Sequence, residues 1–326
     1  SNTAELFGTL SLTGKTIVGT EVYVNTVNVT IIQYNFTAVA EAMNLTVLNL
    51  SRGGTATDSE ILAVRLLNDT NANGQFDTSD GQVGPTINVS ASSTYKFAGL
   101  TFQIPTSGAS FLVVINTNAS SIAGGKTLNA SILGAGSIES AGAVSGVNIT
   151  ETLTTTETTA AAKLVGNLSI VGKSLVSSSI SLNAANVSIL LLNFTALGEQ
   201  INVTALNVTR GGTAGDTDVL NLRLINDTDL DGGFDNDDTQ IGPTINTSSS
   251  GNYTVAGLNF LVRAGETKSL IVVLNTTGSS GGKTVNLSLN GIGSVESIGN
   301  DSVVNVTEHL QSTSSSTASI SGTLTI

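Results

Sequence analysis

The chain has 326 residues, too many for one ordinary domain and suited to two of roughly 150. It is 40% hydrophobic but only 4% aromatic and 11% charged, against about a quarter charged in an average globular chain, so something other than charge must keep its surface wet. A net charge of −12 argues against a nucleic-acid partner; the lack of cysteine excludes disulfides, zinc fingers and thiol nucleophiles; the single histidine, His309, leaves little for acid–base chemistry. No apolar run exceeds five residues, which excludes a transmembrane helix. Beginning at Ser1 rather than Met, the chain reads as the processed form of a secreted protein.

In chain order, the first predicted element is a strand over 6–12 (LFGTLSL), with Leu6, Gly8, Leu10 and Leu12 on one face of a period-2 pattern. Short alternating runs follow, separated every 8–12 residues by Gly, Ser and Asn clusters, with no sustained helical period. Arg52 precedes Gly-Gly in a predicted turn held by an Arg–carboxylate pair. A strand over 61–67 leads into an acidic loop at 69–80, and the apolar run 111–115 reads as a strand buried on both faces. GGKT at 124–127 hints at a phosphate loop, but the earlier Gly that loop requires falls on Ser120 and a strand follows, so a hairpin turn is predicted. A linker-like stretch, 154–162, closes the copy.

The pattern then recurs. LFGTLSLTGK at 6–15 returns as LVGNLSIVGK at 164–173, NLSRGGTA at 49–56 as NVTRGGTA at 207–214, and GGKTLNASI at 124–132 as GGKTVNLSL at 281–289. In the second copy Ile201, Val203 and Ala205 alternate with Asn202 and Thr204, the apolar run lies at 270–274, a strand at 219–225 precedes the second acidic loop, and a linker-like stretch occupies 311–317. His309 aligns with Thr152, so no histidine role is kept in both copies. The fold class expected is all-β: two tandem β-sandwich, jelly-roll-like domains over 14–171 and 172–326. The first strand occurs a third time, as ISGTLTI at 320–326. If 163–171 and 319–326 each close a domain, the N-terminal strand over 1–13, with Leu6, Gly8, Leu10 and Leu12, is free for donation to an identical subunit in a head-to-tail polymer; the mirror-image assignment exports the C-terminal strand.

Asn-x-Ser/Thr sequons number 21, where random placement of 31 Asn among 84 Ser and Thr gives about 8. They lie at Asn28, Asn35, Asn44, Asn49, Asn68, Asn88, Asn118, Asn129 and Asn148, then at Asn167, Asn186, Asn193, Asn202, Asn207, Asn226, Asn246, Asn252, Asn275, Asn286, Asn300 and Asn305. On a strand, Asn at i and Ser or Thr at i+2 face solvent together. N-linked glycan is the expected solubilising layer, and it places the chain outside the cell or on its surface.

The loops 69–80 and 227–238 carry oxygen donors at alternate positions with Gly at position six, the chemistry of a hard cation. Candidate ligands are Asp69, Asn71, Asn73, Gln75, Asp77 and Asp80 in the first, and Asp227, Asp229, Asp231, Gly233, Asp235 and Asp238 in the second, with position seven offering its carbonyl. Both resemble EF-hand and dockerin calcium loops, with Asp80 and Asp238 replacing the usual bidentate Glu. That resemblance implies two Ca²⁺ sites, the second richer in carboxylate.

At the level of architecture, the sandwich repeat, terminal strand and dense sequons resemble archaeal thread and bundling-pilus subunits and related biofilm-matrix fibre subunits. The resemblance implies a structural, non-enzymatic subunit of an extracellular filament, with other cells or matrix polysaccharide as further partners. The alternatives are a surface-layer or adhesin stalk whose domains continue in a longer chain, and a polysaccharide-binding module, for which the absence of Trp and the four Tyr are unfavourable.

Overall fold

The computed structural model describes residues 8–88, 93–118, 123–149, 151–153, 157–247, 251–279, 281–311 and 313–322. The chain divides into two compact units, Ser1–Val165 and Gly166–Ile326. Among the described residues both are built from strands, with short 3-10 turns at Ala135–Ser137 and Ile292–Ser294 and no α-helix, as the alternation predicts.

In unit 1 the first sheet runs in the order Thr152–Leu153, Thr9–Thr16, Val29–Val39, Ala109–Thr117, Ile61–Asn68, Gly81–Gln82. The second runs Ile138–Gly142, Met43–Gly53, Thr127–Ile132, Ala162–Val165, Glu21–Tyr23, and Thr94–Ile104 also pairs with Met43–Gly53. Unit 2 repeats the first sheet as Thr307–Gln311, Asn167–Ser174, Val187–Leu197, Thr267–Thr276, Val219–Asp227, Thr239–Asn246. Its second sheet runs Ser179–Ser181, Ala318–Ser321, Thr284–Ser288, Ile201–Gly212, Asn252–Val262. Alternate residues turn inward, so Leu10, Leu12, Phe36, Phe97 and Phe111 are buried in unit 1, with Phe111 meeting Phe36 edge-on at 5.1 Å.

In its middle copy the repeated strand motif proves to be two strands joined at Gly166. Ala162–Val165 closes the second sheet of unit 1, pairing with Thr127–Ile132 and Glu21–Tyr23. Asn167–Ser174 opens the first sheet of unit 2, pairing with Val187–Leu197 over eight residues. The boundary therefore falls at 165/166, not at 171/172. Its physical cause is Gly166: the N–H donates to Glu199 Oε1 at 2.7 Å, and a Cβ there would lie 2.6 Å from Glu199 Cγ. Glu199 is fully buried, its second oxygen accepting from Asp301 and Ser302 N–H at 2.9 and 2.8 Å.

The same logic corrects the donor assignment. Thr9–Thr16 pairs with Val29–Val39 along its whole length, and Leu10 and Leu12 are each 1% exposed in the core of their own unit. Gly8 is buried against Glu41, whose carboxylate also accepts from Val144 and Ser145. Leu6 lies outside the described residues. Donating 9–13 would strip unit 1 of its first strand, so that part of the segment is not spare. Nor are the linker-like stretches merely linkers. They take the chain from the first sheet to the second, and Glu157–Thr158 and Ser314 pair there with Thr127–Ile132 and Ser288.

Candidate metal centre

Each acidic loop follows a strand of the first sheet that delivers its position-one aspartate into buried surroundings: Asp69 is 3% and Asp227 2% exposed. The chain then reverses through left-handed residues, Ala72 and Gly74 in loop 1 and Leu230 and Gly232 in loop 2, with glycine φ of +77° and +79°. That turn directs Gly74 and Gly232 N–H to Oδ2 of Asp69 and Asp227 at 2.9 and 3.2 Å. Position-seven Gln75 and Gly233 donate N–H to Asn73 and Asp231 Oδ1, both at 2.6 Å. Asp80 and Asp238 tie the loops shut, accepting from Thr70 and Asp77 N–H in loop 1 and from Thr228 and Asp235 N–H in loop 2.

Beyond this shared frame the loops differ. In loop 1 the protein satisfies its own carboxylates. Gln33 Nε2 donates to Asp69 Oδ2 at 2.7 Å, Asn73 N–H to Asp69 Oδ1 at 3.2 Å, and the Asn71 and Asn73 amides to Asp77 Oδ2 at 2.7 and 3.3 Å. In loop 2, Asp227, Asp229 and Asp231 bring carboxylate oxygens within 4.8 Å of one another. Asp227 Oδ1 is buried with no hydrogen-bond partner among the described residues, while burial and the neighbouring Asp238 charge hold its carboxyl above the usual range. Leu191 replaces Gln33, so the side-chain amide that reaches Asp69 in unit 1 has no counterpart here. An orphaned, buried oxygen among converging carboxylates is the donor set a hard divalent cation fits.

Position eight escapes a reading confined to polar residues. Phe76 packs on Leu67, Leu112 and Val114; Phe234, with Leu175, packs on Leu191, Ile225, Ile271 and Val273. These are satellite cores on the outer face of each first sheet, which is why the runs 111–115 and 270–274 are apolar on both sides. Arg65 and Arg223 cover the two rings at 5.6 Å and donate to Asn28 and Asn186 Oδ1, tying two sequon amides to the loops.

The sequons fall on strands of both sheets of each unit and, at Asn28, Asn118, Asn148, Asn186, Asn300 and Asn305, in the connections between strands. Asn35, Asn88, Asn148, Asn186, Asn246, Asn252, Asn300 and Asn305 are exposed; Asn28, Asn44, Asn49, Asn68, Asn118, Asn129, Asn193, Asn202, Asn207, Asn226, Asn275 and Asn286 are half-buried. Asn167 is the exception: it sits between Leu197 and Thr307 of neighbouring strands, 9% exposed, with no room for a glycan. Arg52 and Arg210 pair with Asp58 and Asp216 at 2.5 and 2.8 Å, as their turns predict. No helix among the described residues is long and apolar enough to cross a membrane.

No protein-family model and no curated protein matches the chain. Among solved structures it is similar to the C-terminal domain of the AgI/II polypeptide BspA of Streptococcus agalactiae, at 10% identity and TM-score 0.24, over 95% of this chain and 99% of that one. It is also similar to the C-terminal domain of the antigen I/II-family protein AspA of Streptococcus pyogenes, at 11% and 0.26, over 96% and 99%. A third likeness is the seventh ScaB type I cohesin of Pseudobacteroides cellulosolvens, at 11% and 0.24, over 49% of this chain and 95% of that one. At such identities and TM-scores these likenesses carry no argument about what this chain does.

Proposed function

We propose that the chain is a pair of structural modules from an extracellular stalk, in which tandem sandwiches are spliced strand to strand, braced by Ca²⁺ and coated with N-glycan. The observation that carries this reading is the junction: the last strand of unit 1 and the first of unit 2 are separated by Gly166 alone, held by buried Glu199. Both halves of the junction recur in sequence outside the described residues, AELF at 4–7 matching AKLV at 162–165 and TLTI at 323–326 matching NLSI at 167–170. They have the pattern of closing and opening strands for adjoining units. An adjoining unit belongs either to a longer chain, as in a surface-layer or adhesin stalk, or to an identical subunit, as in a strand-donating filament. Each unit already has its own first and last strands, so the stalk needs no displacement and is the better supported.

Asp227, Asp229 and Asp231 would hold the ion in unit 2, and the exposed sequons would supply the hydration that 11% charged residues cannot. Cryo-electron micrographs of the native glycosylated protein test the array, and the mass of the denatured, deglycosylated chain separates its two forms. Regular linear arrays with a chain mass well above 33.0 kDa support the stalk; the same arrays at 33.0 kDa support the filament. Isolated two-unit particles, or a native mass that does not fall on deglycosylation, would overturn the corresponding part of the reading.

A further inference from the structure

A cleft of about 500 Å³ opens in unit 1 beside the acidic loop. Phe102 is its apolar floor, edge-on to Phe111 at 4.8 Å, and Asn35, Thr37, Asn68, Thr70 and Ser110 line it with amides and hydroxyls. Unit 2 supplies an internal control. There the position paired with Phe194 is Lys268, where unit 1 pairs Ala109 with Phe36. The Lys268 ammonium lies over the Phe260 ring at 5.7 Å, leaving that ring 4% exposed, and Ser269 donates to Asn193 Oδ1 at 2.7 Å. In unit 1 the matching Ser110 is 7% exposed and its Oγ has no partner among the described residues. Unit 1 thus keeps the aromatic floor that unit 2 covers, and keeps a buried hydroxyl with nothing to bond.

We propose that this cleft seats a neutral pyranose, its C–H face on Phe102 and its hydroxyls toward Ser110, Asn35 and Asn68. Other ligand classes fit worse. Among the described residues no Lys or Arg lines the cleft, so an anion would find no counter-charge there. The Asp69 carboxylate beside it is buried and already accepts from Gln33, Gly74 and Asn73, so its oxygens are committed and offer an organic cation little direct contact. A wholly apolar ligand would leave the Ser110 hydroxyl buried and unpaired. An amphipathic ring with an apolar face and a polar edge satisfies both kinds of wall. The sugar has two possible sources, a free saccharide or the glycan of the rim sequons Asn35 and Asn68. Tethered at the rim, such a glycan would have a local concentration of about millimolar or more. The seat itself does not depend on the stalk reading.

The test uses the full chain produced without glycan, titrated with glucose, galactose, mannose, N-acetylglucosamine and their β-linked disaccharides by ligand-observed NMR. Saturable binding of one sugar per chain is expected. Ala109→Lys, which installs the residue found in unit 2, weakens it at least about tenfold without moving the melting temperature by more than a degree or two. Lys268→Ala uncovers Phe260 and adds a second site per chain. Secreted, glycosylated protein run alongside separates the sources: it refuses free sugar if its own glycan fills the seat and binds it otherwise, and both results support the seat. Absence of saturable binding for every sugar, or binding that survives Ala109→Lys, overturns the proposal.

Discussion

Phe234→Ala is expected to cost unit 2 about 2 kcal/mol in calcium and close to nothing in chelator. Removing a fully buried Phe costs about 3–5 kcal/mol. Phe234 is half-buried, resting on Leu191, Ile225, Ile271 and Val273 with the Arg223 guanidinium over its ring, so about half of that range applies. For a unit of this size the loss is a fall of roughly 4–8 °C in melting temperature. Without the ion, six carboxylates, Asp227, Asp229, Asp231, Asp235, Asp237 and Asp238, repel one another in one short loop. Asp227 Oδ1 then has no partner among the described residues. The loop lifts, Phe234 leaves its cluster, and truncating a ring that no longer packs changes little.

The assay is a four-cornered cycle by scanning calorimetry: wild type and variant, each with excess calcium and with chelator. Phe76→Ala provides the contrast. Loop 1 is held by Gln33, Asn71 and Asn73, so its variant loses a similar amount in both conditions. Equal losses for Phe234→Ala with and without calcium would mean that loop 2 stays seated unaided, and the coupling between ion and satellite core would be refuted.

Gln33→Leu places the unit 2 residue in unit 1 and removes the amide from Asp69; the unit 1 melting temperature in chelator should drop by the equivalent of about 1–3 kcal/mol and recover with calcium. Burial pushes the Glu60 carboxyl up, but Lys126 at 2.7 Å together with Ser59 and Thr57 outweighs this and lowers it from 4.5 to about 2. That stability is present above pH 4.5 and is lost as pH falls toward 2, about 3 kcal/mol in all, so denaturant titrations of wild type and Glu60→Gln should converge by that amount on acidification. Gly166→Ala must move the buried Glu199 away from its three N–H donors, and a loss of more than about 2 kcal/mol in unit 2 by calorimetry is expected; a neutral result would show that the junction tolerates a side chain.

The all-β class and the duplication were legible because both rest on local signals: period-2 alternation, and residue-by-residue return of NLSRGGTA as NVTRGGTA. The turns of the acidic loops were legible for the same reason, since their oxygen-bearing residues at alternate positions and the glycine at position six all lie within twelve residues. What separates the loops was not. Gln33 reaches Asp69 from a strand 36 residues away, and Phe76 finds Leu112 and Val114 across a sheet order that spacing alone does not determine. The apolar run 111–115 announced a second buried face, but nothing in its own pattern named the cover. Sequon counting likewise treated Asn167 as equal to the rest, because Asn-Leu-Ser reads the same on a central strand as on a wet one.

The position of the domain boundary was the hardest feature to read, for a reason intrinsic to repeats. A duplicated sequence has a period but no phase: any starting point along it yields the same self-match. The motif L-x-G-x-L looked like one strand because both halves alternate in step through the glycine, with Leu164, Gly166, Leu168 and Ile170 all inward. Alternation reports which side of a residue is buried, not which sheet buries it. Only the partners set the phase, Thr127–Ile132 before Gly166 and Val187–Leu197 after it. The glycine itself held the clue, since a strand interior gains nothing from it and a close backbone approach requires it. At Gly8, Glu41 takes the place that Glu199 holds at Gly166. The carboxylate thirty-three residues downstream of the glycine is therefore the sequence mark by which further junctions of this kind can be sought.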